Sequence, residues 1–299
     1  SQNHRLMELN PHLRGKSLAK QEPFRYKARD GQEIAGTLIH PLGEVAGQRY
    51  PLIVFVHGGP ESAVLNGWLT YSTQPGQVAA ARGYAVFYPN YRGSTGKGVA
   101  FSKLGQADPA GKEFDDLIDG VDALIASGLV DKNKVGITGG SYGGYATAWC
   151  STYYSDRFAA GVMSVGISDL NSKLGTTDIP DEEFLVHARK HPWDDWAYFL
   201  ERSPIKHAGQ SKTPLLILHG KEDPRVHPGQ SLELYRYLKL RSKAPVRLIL
   251  YPGEGHGNRK AAARYDFNLR MLEWMDHYLK GAGGAPPAWE LDYALPKQP

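Results

Sequence analysis

Three short stretches hold residue types that nucleophilic chemistry requires. "GGSYGG" at 139–144 sets Ser141 among glycines, "HGKEDPRVH" at 219–227 holds two acids and two histidines, and "GEGHG" at 253–257 sets His256 among glycines. A serine hydroxyl is a weak nucleophile until a base within hydrogen-bond reach takes its proton and a carboxylate orients that base. The chain order serine, acid, histidine is one of the orders in which this apparatus is built. The chemistry implied is acyl transfer from an ester or amide to water through a covalent acyl-serine.

Gly139-Gly140-Ser141-Tyr142-Gly143 fits G-x-S-x-G, with the apolar run "KVGIT" before it and the helix-forming run "YATAWCSTYY" after it. The turn from strand to helix at such a motif is sharp. Its serine takes a strained backbone conformation, and a side chain at a flanking glycine would strike neighbouring elements. His256 is the strongest candidate base. His219 closes an apolar run and reads as a satisfied structural histidine, whereas His227 follows the acids too closely and reads as a loop contact. The acid is Glu222 or Asp223, and Pro224 fixes the turn directly behind the latter. An oxyanion hole needs backbone N–H groups aimed at the developing charge. The N–H of Tyr142 supplies one, and Gly58 or Gly59 of "HGGP", with Gly59 favoured, supplies the other.

These residues must be carried by strands that end at one edge. "EPFRYKARDGQEIAGTLIH" at 22–40 alternates around Asp30-Gly31 and predicts an antiparallel hairpin. "YPLIVFVHGGP" is a continuous apolar run, as in a strand buried on both faces. Helix-like "QPGQVAAARG" then precedes the strand "YAVFYPN", "EFDDLIDGVDALIASG" precedes "KVGITGG", and "YATAWCSTYY" precedes "FAAGVMSV". "PLLILHG", "GQSLELYRYLKLRS", "VRLILYPG" and "AAARYDFNLRMLEWMDHYLKG" complete the series. The alternation predicts a doubly wound, mostly parallel sheet with right-handed crossovers and its site at the carboxyl ends of the strands. Residues 168–213 break the rhythm and predict a helical excursion, with "DEEFLVHARK" and "WDDWAYFLER" as short helices beside the pocket. Residues 1–20 read as a junction segment, 21–281 as the catalytic domain and 282–299 as an extended tail.

Composition narrows the classes. With 41% apolar and 22% charged residues the chain is a folded globular protein, and one large α/β core accounts for 299 residues. A net charge of +4 is spread rather than clustered, so nucleic acid is not expected as a partner. No apolar run is long enough to span a membrane, and "SQNHRLMELN" lacks the apolar core of an export signal. The chain starts without Met, so a signal on a preceding segment and the compartment both stay open. Cys150 stands alone, which rules out an intrachain disulfide, and reads as a small buried side chain. "RGSTGKG" at 92–98 lacks the spacing of a phosphate loop. His187 and His191 lack the central Glu of a zinc helix, and "EFDDLIDGVD" at 113–122 reads as a surface helix with solvated acids. Neither metal nor organic cofactor is expected.

Through "VHGGP", "NYRGSTGKG", "DDLIDGVDALI", "VGITGGSYGGYAT", "SPIKHA", "PLLILHGKEDPRVHPGQS" and "YPGEGHG", the chain from about 22 to 280 resembles the catalytic domain of the prolyl oligopeptidase family of serine peptidases. The resemblance implies an α/β-hydrolase fold, with Ser141 as nucleophile, Asp223 as acid and His256 as base. It also implies a substrate pocket from Tyr142, Val165, Ser168 and Val226. "HGGP" looks more like acylaminoacyl and dipeptidyl peptidase-like members than like prolyl oligopeptidase, which places an oxyanion-hole tyrosine where His57 stands. Two backbone donors must then serve. Ser168 and Asn171 stand near positions where proline-specific members carry Trp and Tyr, which speaks against strict proline specificity. The resemblance further implies an N-terminal β-propeller in the full-length protein and allows a homo-oligomer. The expected activity is hydrolysis of peptide or acyl-amide bonds of short peptides. A carboxylesterase with the same triad is the alternative, and a non-catalytic hydrolase-fold binding module the remote one.

Overall fold

A computed structural model describes residues 10–69, 71 and 73–294. The ends of the junction segment and of the tail, 1–9 and 295–299, lie outside the described residues. Eight strands form one sheet: β1 (Gln21–Lys27), β2 (Glu33–Ile39), β3 (Tyr50–Val56), β4 (Ala85–Asn90), β5 (Val130–Gly140), β6 (Ala160–Ser164), β7 (Leu215–Gly220) and β8 (Val246–Tyr251). Their spatial order is β1-β2-β4-β3-β5-β6-β7-β8. β1 and β2 form the expected antiparallel hairpin, closed by Gly31 N–H donating to the Ala28 carbonyl at 2.8 Å, with Gly31 at φ 87°. β2 runs antiparallel to β4, and every later neighbour is parallel.

The helices between them are α1 (Gly76–Ala81), α2 (Val99–Ser102), α3 (Lys112–Ala126), α4 (Tyr142–Thr152), α5 (Leu170–Leu174), α6 (Trp196–Glu201), α7 (Gly229–Arg241) and α8 (Ala261–Leu279). Strand side chains alternate between faces. In β3, Leu52, Val54 and Val56 enter the core made with α3 and α4, while Ile53 and Phe55 enter the core made with α1 and α8. Both faces are covered, so the central strands are apolar throughout rather than every second residue. β3 lies between β4 and β5, so the chain winds outward in both directions from it. Into the crevice at that switch point run the "HGGP" loop from the end of β3 and Ser141 from the end of β5. This is the α/β-hydrolase fold.

Two expectations fail in instructive ways. The acids of α3 are not all solvated: Asp115, Asp119 and Asp122 are partly or wholly exposed, but Glu113 and Asp116 are buried. Asp116 accepts three hydrogen bonds from Arg92, whose guanidinium also holds Asp30 at 2.8 and 3.0 Å, so its charge is paired inside the protein. The excursion contains no strand, as expected, and α6 falls within "WDDWAYFLER". "DEEFLVHARK", however, forms only one wide turn at Glu183–His187 instead of an α-helix. That turn brings Glu183 and His187 inward, with the His187 ring 4.8 Å from the Tyr142 ring. Cys150 is buried on α4, and its thiol is pushed up by burial. The described part of the tail runs extended over the surface, where Arg247 lies 4.2 Å from the Trp289 ring. No helix among the described residues is long and apolar enough to cross a membrane.

Candidate active site

Ser141 stands between β5 and α4 at φ 60° and ψ −123°, a region that a non-glycine residue occupies at a cost of about 1–3 kcal/mol. Close packing around it explains the glycines. A Cβ on Gly143 would lie 2.0 Å from the Val56 carbonyl oxygen, and one on Gly139 would lie 2.5 Å from the same atom. Gly140 has only ordinary contacts, none nearer than 3.7 Å, so it is the tolerant position of the motif. Gly143→Ala is therefore expected to lower stability by about 2–3 kcal/mol, since it forces β3 or α4 to move, whereas Gly140→Ala stays within about 1 kcal/mol. Urea denaturation of the two variants distinguishes them, and equal midpoints would refute the packing argument.

Asp223 follows β7 and its side chain is fully buried. Its Oδ1 accepts from the backbone N–H groups of Arg225 (2.9 Å) and Val226 (3.1 Å), and its Oδ2 accepts from His256 Nδ1 at 2.8 Å. Burial opposes the ionised form, but hydrogen bonds from His219 and His256 outweigh it and hold the carboxyl well below the usual carboxylate range. Glu222, the other acid considered, is exposed. His256 sits on a loop after β8 that Glu254 braces: this buried carboxylate accepts the N–H groups of Arg259 (2.6 Å) and Lys260 (3.1 Å).

Ser141 and His256 border one cavity of about 480 Å³, together with Phe55, His57, Gly58, Val64, Val165 and Phe267. Among the described residues no hydrogen bond joins Ser141 Oγ to His256, and such contacts tighten when substrate enters. Val165 is a β-branched residue at φ 40°, a further strained position on the cavity wall that sequence alone does not signal. The pocket expected from Tyr142, Val165, Ser168 and Val226 is only partly assembled. Ser168 is buried and bonded to Gln230 and Glu233, Val226 is 3% exposed, and neither borders this cavity. The Tyr142 ring is not a cavity wall either. It points into the core, where its hydroxyl donates to Glu113 Oε1 at 2.6 Å. Chain order signals none of these orientations, because they depend on partners distant in sequence.

The backbone around the candidate oxyanion hole is built from the start of α4 and the "HGGP" loop. Tyr142 opens α4, so its N–H has no acceptor within the helix. A Cβ on Gly58 would lie 2.9 Å from the Gly140 carbonyl oxygen and 3.1 Å from Ser141 Cβ, so no other residue lets β3's end approach Ser141 this closely. Gly59 takes φ 122°, and a Cβ there would lie 2.5 Å from the Glu61 backbone nitrogen; of the two glycines, Gly58 borders the cavity with Ser141. His57 offers no free ring donor: its Nε2 lies 2.9 Å from Ser94 Oγ, its Nδ1 2.8 Å from the Gly58 carbonyl oxygen, and burial lowers its pKa to about 4. His227 is an exposed loop residue, with Nδ1 accepting from Gly229 N–H. His219 is satisfied by Val226 and Ser231.

The sequence profile of the prolyl oligopeptidase family matches residues 70–282. The dipeptidyl aminopeptidase BIII of Pseudoxanthomonas mexicana is 37% identical over 275 residues, which cover 88% of this chain and 39% of that protein. The acylamino-acid-releasing enzyme of Sus scrofa is 31% identical over 266 residues, covering 87% and 35% respectively. The solved acylaminoacyl peptidase of Pyrococcus horikoshii superposes with a TM-score of 0.85 at 29% identity, covering 94% of this chain and 45% of its own. The chain thus spans less than half the length of these relatives. Its sheet order, its strained turn at Ser141 and these matches lead to one conclusion: the chain belongs to the prolyl oligopeptidase family of peptidases.

Proposed function

We propose that this chain is the catalytic part of a serine peptidase that cleaves peptide or acyl-amide bonds near the amino end of short peptides. The observation that carries the reading is the 2.8 Å hydrogen bond from His256 Nδ1 to a buried Asp223, on a histidine that shares its cavity with the strained Ser141. Ser141 Oγ attacks the scissile carbonyl while His256 Nε2 takes its proton. The N–H groups of Tyr142 and Gly59, with Gly58 giving close approach, receive the oxyanion. His256 then protonates the leaving amine, and water, activated the same way, releases the acid and restores Ser141. The amino-end preference rests on the names of the relatives, an aminopeptidase and an acylamino-acid-releasing enzyme. The domain division at 21–281 and an upstream β-propeller belong to the same proposal, and the coding sequence preceding Ser1 tests the latter.

A fluorophosphonate probe is expected to label the wild type at Ser141 and to leave Ser141→Ala unlabelled. An unlabelled wild type would mean a non-catalytic module. Turnover of aryl esters but of no acyl-amino-acid or peptide amide would replace the peptidase reading by an esterase.

A further inference from the structure

Asp223 is gripped by more than the one histidine that a triad requires. Besides His256 Nδ1, its Oδ2 lies 3.2 Å from Nε2 of His219, whose side chain is fully buried at the end of β7. The same Nε2 lies 2.8 Å from the Val226 carbonyl oxygen. A carbonyl oxygen can only accept, so Nε2 carries a hydrogen, which it donates to Val226 while the same N–H stands beside the Asp223 carboxylate at 3.2 Å. On the other side of the ring, Nδ1 meets Ser231 Oγ at 2.6 Å, on a residue that is fully buried in α7.

We propose that Ser231 and His219 are positioning residues that extend the catalytic triad, in a continuous line Ser231–His219–Asp223–His256. The proposal rests on the triad reading above. Its logic is mechanical. His219 is paired with Leu250 of β8 in the sheet ladder, whereas His256 stands on a loop, so His219 ties the acid to the most rigid part of the fold. With two backbone N–H groups on Oδ1, His256 Nδ1 on Oδ2 and the His219 N–H 3.2 Å beside the same oxygen, the carboxylate cannot rotate without losing several contacts at once. His219 also draws on the same oxygen that His256 uses, which limits how tightly Asp223 holds a protonated His256. The remaining charges near Asp223 are Arg225 and Asp178, which pair with each other at 2.6 Å and so oppose one another.

The test uses the full chain as wild type, Ser141→Ala, His219→Leu, His219→Gln and Ser231→Ala. Hydrolysis of p-nitrophenyl acetate is followed from about pH 5 to about pH 9 beside thermal melts. His219→Leu is expected to lose about tenfold in kcat with KM unchanged, the loss expected for one hydrogen bond to a charged acceptor. The acid limb of its kcat/KM profile should move to higher pH by about half a unit. His219→Gln, whose amide N–H can replace Nε2–H, should recover most of both effects, and Ser231→Ala should show a smaller change of the same sign. Wild-type kcat and an unmoved acid limb in His219→Leu overturn the proposal, and if that variant does not fold, the same result in Ser231→Ala does so. Equal losses in the Leu and Gln variants that follow only their melting temperatures also overturn it. Retained turnover in Ser141→Ala would instead overturn the triad reading itself, and the extension with it.

Discussion

In Asp223→Asn, kcat is expected to fall by roughly 10⁴-fold with little change in KM, whereas Glu222→Gln stays within about twofold of wild type. The size of the loss comes from counting donors. The carboxylate accepts two backbone N–H groups on Oδ1 and meets two imidazole nitrogens on Oδ2. An asparagine amide offers one oxygen for those four donors. The oxygen satisfies the rigid backbone pair, which leaves the NH₂ group facing His256 Nδ1. That nitrogen must then accept, so its ring carries hydrogen on Nε2 and presents a proton to Ser141 where a lone pair is needed. The proposed base is lost although every atom stays in place. Burial of Asp223 does not offset this, because its hydrogen bonds hold the native carboxyl far below the assay range, so the wild type keeps it ionised wherever activity is measured. Steady-state kinetics on an aryl ester checks the pair of variants. A larger loss in Glu222→Gln than in Asp223→Asn would transfer the acid's role to Glu222.

The difference between what this sequence discloses and what it conceals is the difference between local and distant partners. The strands were legible because a buried parallel strand needs an unbroken apolar run: "PLLILHG" and "VRLILYPG" correspond to β7 and β8 to within two residues. The hairpin was legible because Asp-Gly serves a turn needing positive φ. The placement of Ser141, Asp223 and His256 after the ends of β5, β7 and β8 was legible because chain order and strand ends carry it. Side-chain direction was not legible. Tyr142 reads as a pocket wall until Glu113, 29 residues earlier, is seen to take its hydroxyl. Glu113 and Asp116 read as solvated acids because helical spacing says which residues share a face, not whether Arg92 or Tyr142 waits on the other side. The turn at Glu183–His187 has no period at all, since it is held by contacts such as that between His187 and Tyr142.

Glu113→Gln is expected to make the protein more resistant to alkali than the wild type. Glu113 Oε1 accepts from Tyr142 Oη at 2.6 Å and from Ala110 N–H at 3.0 Å, while the buried Oε2 has no hydrogen-bond partner among the described residues. Burial pushes its pKa up to about 8, against the two hydrogen bonds and with help from the nearby Asp108 and Asp116 charges. The folded state therefore binds this proton more tightly than the unfolded chain, where a glutamate titrates near pH 4.5. Where the folded form holds more protons, stability falls as pH rises. The contribution is complete below about pH 4.5, is lost progressively up to about pH 8, and then levels off once both states are ionised. Glutamine keeps the shape of the protonated acid and cannot ionise. Its stability relative to wild type should therefore grow by roughly 3–4 kcal/mol between about pH 5 and about pH 9. Urea denaturation at the two pH values reads the difference directly. A wild-type-minus-variant gap that does not change with pH would show that Glu113 is ionised in the folded protein. The same gap bears on catalysis, because Glu113 holds the ring of the residue whose backbone N–H is proposed to receive the oxyanion: an ionised Glu113 leaves a buried charge with Tyr142 as its principal donor, one residue from Ser141.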